Sequence, residues 1–130
     1  MLDTNVLVSA LWSADSKPAQ IVSMVISGDI TPCYNAAILI EYKGVLSRGR
    51  LGFSADEVNS LMTAIESRGL SVIKPMSTIP FSDEDDRKFY DVAVVCKAQV
   101  ITGNLKHYPS DGVAIAVFEF LDNQRAIVLP

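Results

Sequence analysis

What most restricts the fold of this chain is a repeated local pattern. Short apolar runs alternate with helix-period stretches, and no Asn-Gly-type hairpin joins any two of the runs. Antiparallel neighbours are joined by tight turns, whereas parallel neighbours need long crossovers, so the pattern predicts helical crossovers and a parallel sheet. The expected class is therefore α/β: a three-layer α/β/α sandwich on a central parallel sheet of about four to five strands. A length of 130 residues suits a single domain spanning 1–130, and a 49% hydrophobic share suits a packed core.

Local signals place the elements. Met1 and Leu2 read as the end of a buried strand. Ser16 is a helix N-cap with Pro18 in the first turn; Ile21, Val22, Met24, Val25 and Ile26 line that helix, and Gly28-Asp29 stops it. A strand is expected over 30–34. Asn35 caps a helix carrying Ala37, Ile38, Ile40, Glu41, Val45 and Leu46, with a stop at Gly49. Ser54-Ala55-Asp56-Glu57 is a capping box ahead of the stripe Val58, Leu61, Met62 and Ile65, and that helix ends before Gly69. A strand over 70–73 precedes a loop bracketed by Pro75 and Pro80. Ser82-Asp83-Glu84-Asp85 reads as a second capping box opening a helix through 98. A strand over 100–102 leaves through Gly103-Asn104, and a strand over 113–117 leads into a short helix over 118–123.

Several functions are disfavoured at this level. Net charge is -4, which argues against gripping nucleic acid through a broad basic face, though not against an approach through metal ions or against a basic partner. No apolar run reaches the roughly 18 residues of a membrane span, and no basic-then-apolar leader is present. Cys33 and Cys96 lack C-x-x-C spacing and sit in apolar stretches, as reduced core thiols of a cytoplasmic protein do. Neither G-x-x-x-x-G-K-[ST] nor G-x-G-x-x-G occurs, so NTP and dinucleotide chemistry lack support.

The acids carry the chemistry. A carboxylate leaving a buried strand needs solvent, an opposite charge or a metal, and open parallel sheets put ligands at that carboxyl edge. Asp3 is placed there. In the helix beginning near Asp83, Phe89, Val92, Ala93 and Cys96 mark the sheet-facing side, and Asp86 falls on the same side in the first turn. Asp83, Glu84 and Asp85 are explained as capping and dipole residues, and Asp91 falls outside the buried stripe, on the surface. Glu41 sits among Ile38, Ile40, Val45 and Leu46, either metal-facing or paired with Lys43, Arg48 or solvent. Asn104 lies at the same edge, unless it is only a turn residue. Thr4 and Asn5 either orient Asp3 or cap the next segment. Carboxylates in such a set suit Mg²⁺ or Mn²⁺ acting on a phosphodiester. His107 is the only histidine, so no triad competes; it is a phosphate contact or plain surface. Lys43, Arg48, Arg50 and Lys106 make a local basic rim or are simply solvated.

Leu2-Asp3-Thr4-Asn5-Val6-Leu7-Val8-Ser9-Ala10, Glu41 in a mid-chain helix, Asp85-Asp86-Arg87-Lys88-Phe89 and Val100-Ile101-Thr102-Gly103-Asn104-Leu105-Lys106-His107-Tyr108-Pro109 together resemble the PIN-domain family. The resemblance spans nearly the whole chain and is greatest to the toxins of toxin–antitoxin pairs. It implies the parallel-sheet α/β/α fold and a Mg²⁺- or Mn²⁺-dependent ribonuclease that cleaves single-stranded RNA. It maps the metal ligands to Asp3, Glu41 and Asp86. Asn104 takes the fourth catalytic position, where the family often has Asp, so one charge is missing. Thr4, Asn5, Thr102, Lys106 and His107 become the substrate contacts. It further implies a homodimer and an antitoxin whose tail fills the acidic groove. The alternative is a catalytically weak or inactive PIN-like module that binds RNA or protein. The substituted fourth position favours it, as does an opening strand of only Met1 and Leu2. A phosphatase of the Asp-x-Asp type fits poorly, because Asn5 stands where its second acid belongs.

Overall fold

A computed structural model describes residues 1–73 and 77–128 of the chain. The chain runs α1 (Thr4–Trp12), α2 (Lys17–Ser27), β1 (Cys33–Tyr34), α3 (Ala36–Leu46), α4 (Ala55–Arg68), β2 (Leu70–Ser71), α5 (Arg87–Cys96), β3 (Val100–Thr102), β4 (Ala114–Ala116) and α6 (Val117–Val128). Three 3-10 turns punctuate it at Gly49–Leu51, Glu84–Asp86 and Leu105–His107. Both strand pairs are parallel, β1 with β2 (Cys33 opposite Leu70) and β3 with β4 (Ile101 opposite Ile115). Leu2 adds a single parallel bridge to Ile101 on the other side of β3. The α/β class with parallel strands is thus as expected, built from strands shorter than the apolar runs suggested.

The helix starts follow the local signals. The Ser16 hydroxyl accepts from the Ala19 amide, and Gly28 ends α2. Asn35 Oδ1 accepts from the Ile38 amide at 2.9 Å, and the Ser54–Glu57 box is reciprocal. Val58, Leu61, Met62 and Ile65 are buried as their spacing requires. At the second acidic start the outcome differs. Asp83, not Ser82, caps: its Oδ1 accepts from the Asp85 amide at 3.0 Å, and a 3-10 turn precedes α5. Pro75 lies outside the described residues.

Helix α1 is absent from the sequence reading, because Thr4–Trp12 is apolar almost all round and shows only a weak one-sided pattern. With Thr4, Val6, Leu7 and Ala10 buried, it packs on α2 and α3, while α2 also meets α4 and α6. Leu7, Ile21, Ile38, Tyr42, Leu46, Ile65 and Phe89 are sealed in the core. The Tyr42 ring lies 6.2 Å from that of Phe89, and its hydroxyl donates to the Leu2 carbonyl, tying α3 to the residue before Asp3. Gly69 lets α4 turn into β2: a Cβ there would sit 2.4 Å from the Ile65 carbonyl oxygen and 2.8 Å from that of Pro32.

One expectation is overturned by packing. Asp91 is buried rather than on the surface; its Oδ2 accepts from the Ser77 amide at 3.0 Å, and its Oδ1 has no partner among the described residues. Arg87 is buried beside it and donates to the carbonyl and hydroxyl of Ser77. Burial pushes the Cys96 thiol up to about 11, helped by contact with Cys33, so the two separated cysteines are neighbours and free thiols. Among the described residues no helix is long and apolar enough to cross a membrane.

Candidate metal centre

Asp3 sits at the join of the Leu2 bridge and α1. Its amide donates to the Ile101 carbonyl at 3.0 Å, which pins the backbone to β3. The residue occupies the N-cap of α1, yet its carboxylate makes no capping bond. It turns inward instead, and Oδ2 accepts 2.9 Å hydrogen bonds from Thr102 Oγ1 and from the Tyr108 hydroxyl. Both donors are buried. Burial, and then the charge of Asp3, push the Tyr108 hydroxyl far above its ordinary range, so it is a permanent donor.

Thr102 organises the turn out of β3. Its single hydroxyl proton goes to Asp3, and its oxygen accepts from the Asn104 amide at 2.9 Å and, more loosely, from Asn5 Nδ2 at 3.5 Å. That exhausts one donor and two lone pairs. Asn5 Oδ1 accepts from the Gly103 amide at 3.0 Å, and a Cβ at Gly103 would come within 3.3 Å of that oxygen. Asn5 and Thr102 are thereby committed to the protein's own scaffold. The Asn104 side chain is exposed and makes no hydrogen bond among the described residues.

Glu41 approaches from α3. Its Oε2 accepts from the Thr4 hydroxyl, and its Oε1 lies 2.7 Å from Lys88 Nζ. The ion-pair partner is thus a lysine of α5, not Lys43 or Arg48, the cations that the alternative to a metal-facing Glu41 named. Lys88 also donates to the Asp85 carbonyl at 2.6 Å.

Asp86 closes the 3-10 turn ahead of α5, with its side chain 15% exposed. Its Oδ2 is buried and accepts no hydrogen bond among the described residues; His107 Nδ1 stands 3.4 Å away, near but poorly aligned. Burial pushes the Asp86 carboxyl up to about 6, with Asp3, Asp83 and Glu41 adding and His107 opposing. Asp3 and Glu41 therefore act on Asp86 through one electrostatic field. Asp83 adds to that field while capping the turn, and Asp85 donates its amide to the Asp83 carboxylate. Glu84 is drawn into a two-bond fork with Arg87, at 2.7 and 2.8 Å. Lys106 is exposed on the turn that carries His107.

The donor set suits a hard divalent cation: three carboxylates, one with an orphaned buried oxygen, flanked by hydroxyls. As they stand, however, no three acidic, histidine or cysteine side chains among the described residues are close enough to hold one ion. The gap has an identifiable cause, since the proton donors of Thr102 and Tyr108 hold one oxygen of Asp3 and Lys88 holds one of Glu41. Lys88 and Tyr108 were missed as site residues by sequence reasoning. Both lie in stretches that carry the family resemblance, but neither stretch tells which acid its side chain meets.

A protein-family model described as PIN domain matches residues 1–106. The uncharacterized protein MJ1680 of Methanocaldococcus jannaschii is 32% identical over 109 residues, covering 80% of this chain and 69% of that protein. No solved structure matches.

Proposed function

The chain belongs to the PIN-domain family, and on that premise we propose that it is a Mg²⁺- or Mn²⁺-dependent endoribonuclease acting on single-stranded RNA. PIN domains are in general nucleases that use divalent metals. The observation that carries the finer reading is the buried, unpartnered Asp86 Oδ2 in the field of Asp3 and Glu41. A cluster of like charges with an unsatisfied oxygen is costly without a cation.

Asp3, Glu41 and Asp86 would hold the ion, with Asn104 at the rim. The bound ion would supply positive charge against a scissile phosphate and a lowered pKa for the attacking water. The protein does the positioning. Thr102 and Tyr108 set the rotamer of Asp3, and Thr4 sets that of Glu41. His107, 3.4 Å from Asp86, and the exposed Lys106 beside it would meet the phosphate. Single-stranded RNA incubated with Mg²⁺ or Mn²⁺ should be cut by the natural chain and left intact by Asp3→Asn and Asp86→Asn. Cleavage surviving both changes would overturn the assignment.

A role as the toxin of a toxin–antitoxin pair, a homodimeric state and a basic antitoxin segment belong to the same proposal, supported by three neighbouring acids on a chain of net charge -4. One observation favours the alternative of a weak or inactive binding module: Lys88 already neutralises Glu41. Mn²⁺ uptake without RNA turnover would select that alternative.

A further inference from the structure

Next to the acidic cleft lies a groove of about 390 Å³ that the metal chemistry does not use. One wall is a single face of α1, on which Thr4, Val8 and Trp12 recur at helical spacing. The other wall is the end of α3 and the 3-10 turn after it, from which Arg48 and Arg50 project. Thr4 forms one end and donates its hydroxyl to Glu41, so that end of the groove lies one hydrogen bond from the acids. Trp12 forms the other end, about 12 Å along the helix axis.

Three features indicate what this groove takes. Trp12 is the only tryptophan of the chain and is 64% exposed, which gives up most of the burial an indole normally gains. Its ring is not loose, because the Phe53 ring backs it edge-on, with centroids 6.3 Å apart and an interplanar angle of 64°. Arg48 and Arg50 are exposed, and neither pairs with a carboxylate among the described residues, although the chain carries 15 acids. A braced, open aromatic face next to two uncommitted guanidinium groups meets the needs of a flexible polyanion with flat bases.

We infer that this groove is a single-stranded nucleic-acid track, in which a base stacks on Trp12 while Arg48 and Arg50 hold the backbone phosphates leading to the acids. The inference rests on the nuclease reading for its direction of travel. A stacking platform reads no base edges, so the track tolerates any sequence and supplies affinity rather than specificity. Its position upstream or downstream of the scissile phosphate sets how much of the strand must be unpaired.

The test uses the intact protein in EDTA, where binding is read without cleavage. A short single-stranded RNA of mixed sequence should quench the fluorescence of Trp12, and the same sequence as a duplex should not. By anisotropy of the labelled strand, Trp12→Ala should bind about 5- to 150-fold more weakly, and Trp12→Phe should recover part of the loss. Arg48→Ala and Arg50→Ala should each lower the salt dependence, by about 0.7 in slope. Unchanged melting temperatures will show that these exposed residues are not needed for folding. RNA that binds without quenching, with an affinity indifferent to all three positions, overturns the track and leaves the nuclease reading intact. A protein that neither binds nor cuts single-stranded RNA overturns both. If Trp12→Ala instead converts a dimer to a monomer in light scattering and leaves RNA binding unchanged, the face is a contact between copies and the inference is wrong.

Discussion

Lys88 Nζ lies 2.7 Å from Glu41 Oε1, with both side chains about three-quarters withdrawn from solvent. A cation supplied by α5 thus sits on a carboxylate supplied by α3, in the place where a divalent ion would draw that carboxylate. The pair couples two functions of the same acid, since it stabilises the metal-free protein and competes with metal.

Lys88→Met should therefore bind Mn²⁺ more tightly than the natural chain. A partly exposed pair contributes roughly 0.2–1 kcal/mol, so the expected gain is about 1.4- to 5-fold. Titration calorimetry measures it directly. Equal or weaker affinity would show that the lysine does not occupy the ion's place.

Asp86 makes the acid cleft a liability for the metal-free fold. Its carboxyl is raised to about 6 from an ordinary 3.8, first by burial and next by the charge of Asp3. For a group raised on folding, the stabilising contribution is complete below the unfolded value and is lost as pH climbs through the folded one. In EDTA, stability should fall between about pH 4 and pH 6 on this account. Asp86→Asn should melt higher than the natural chain at pH 7.5, by an amount on the order of 1–2 kcal/mol after screening. A lower melting temperature for the variant at that pH would contradict the assignment of strain to this carboxylate.

Tyr108 donates to the same Asp3 oxygen as Thr102, so Tyr108→Phe leaves that oxygen with one donor. A hydrogen bond to a charged group contributes about 1.5–3 kcal/mol, and that loss should appear in urea unfolding. Partners that orient a ligand typically change metal affinity or activity by about 10- to 100-fold. Reduced Mn²⁺ affinity alongside the lost stability identifies a positioning role; a purely structural tyrosine would leave the affinity alone.

Asn104 offers a way to add charge. Its amide is held by Thr102, while its side chain is exposed and uncommitted. Asn104→Asp should place a fourth carboxylate at the rim without disturbing the turn. More Mn²⁺ bound per chain, or tighter binding, is the expected calorimetric result. Unchanged stoichiometry and affinity would mean that position 104 lies outside the centre.

The legible part of this protein was local. Ser16, Asn35 and Ser54 announce helix starts because each cap is satisfied within three residues of itself. The stripe Val58, Leu61, Met62 and Ile65 reports its buried face because helical spacing is a property of the backbone. Asp3 and Asp86 could be placed at one rim by the same reasoning, since strand ends and helix beginnings share an edge. Helix α1 was not legible, because its residues are apolar almost all round and leave no polar face to give it a period.

By itself, the sequence determined the alternation of strands and helices, the helix starts at Ser16, Asn35 and Ser54, and the buried face of α4. Only the tertiary structure decided what each acid touches: Lys88 for Glu41, Thr102 and Tyr108 for Asp3, and no hydrogen-bond donor among the described residues for Asp86 Oδ2. It also decided that Asp91 is buried and that Cys33 meets Cys96. The division follows from range. Capping and periodicity are set within a turn or two of backbone, whereas the partner of a long charged side chain depends on how separate helices pack, which no local window contains.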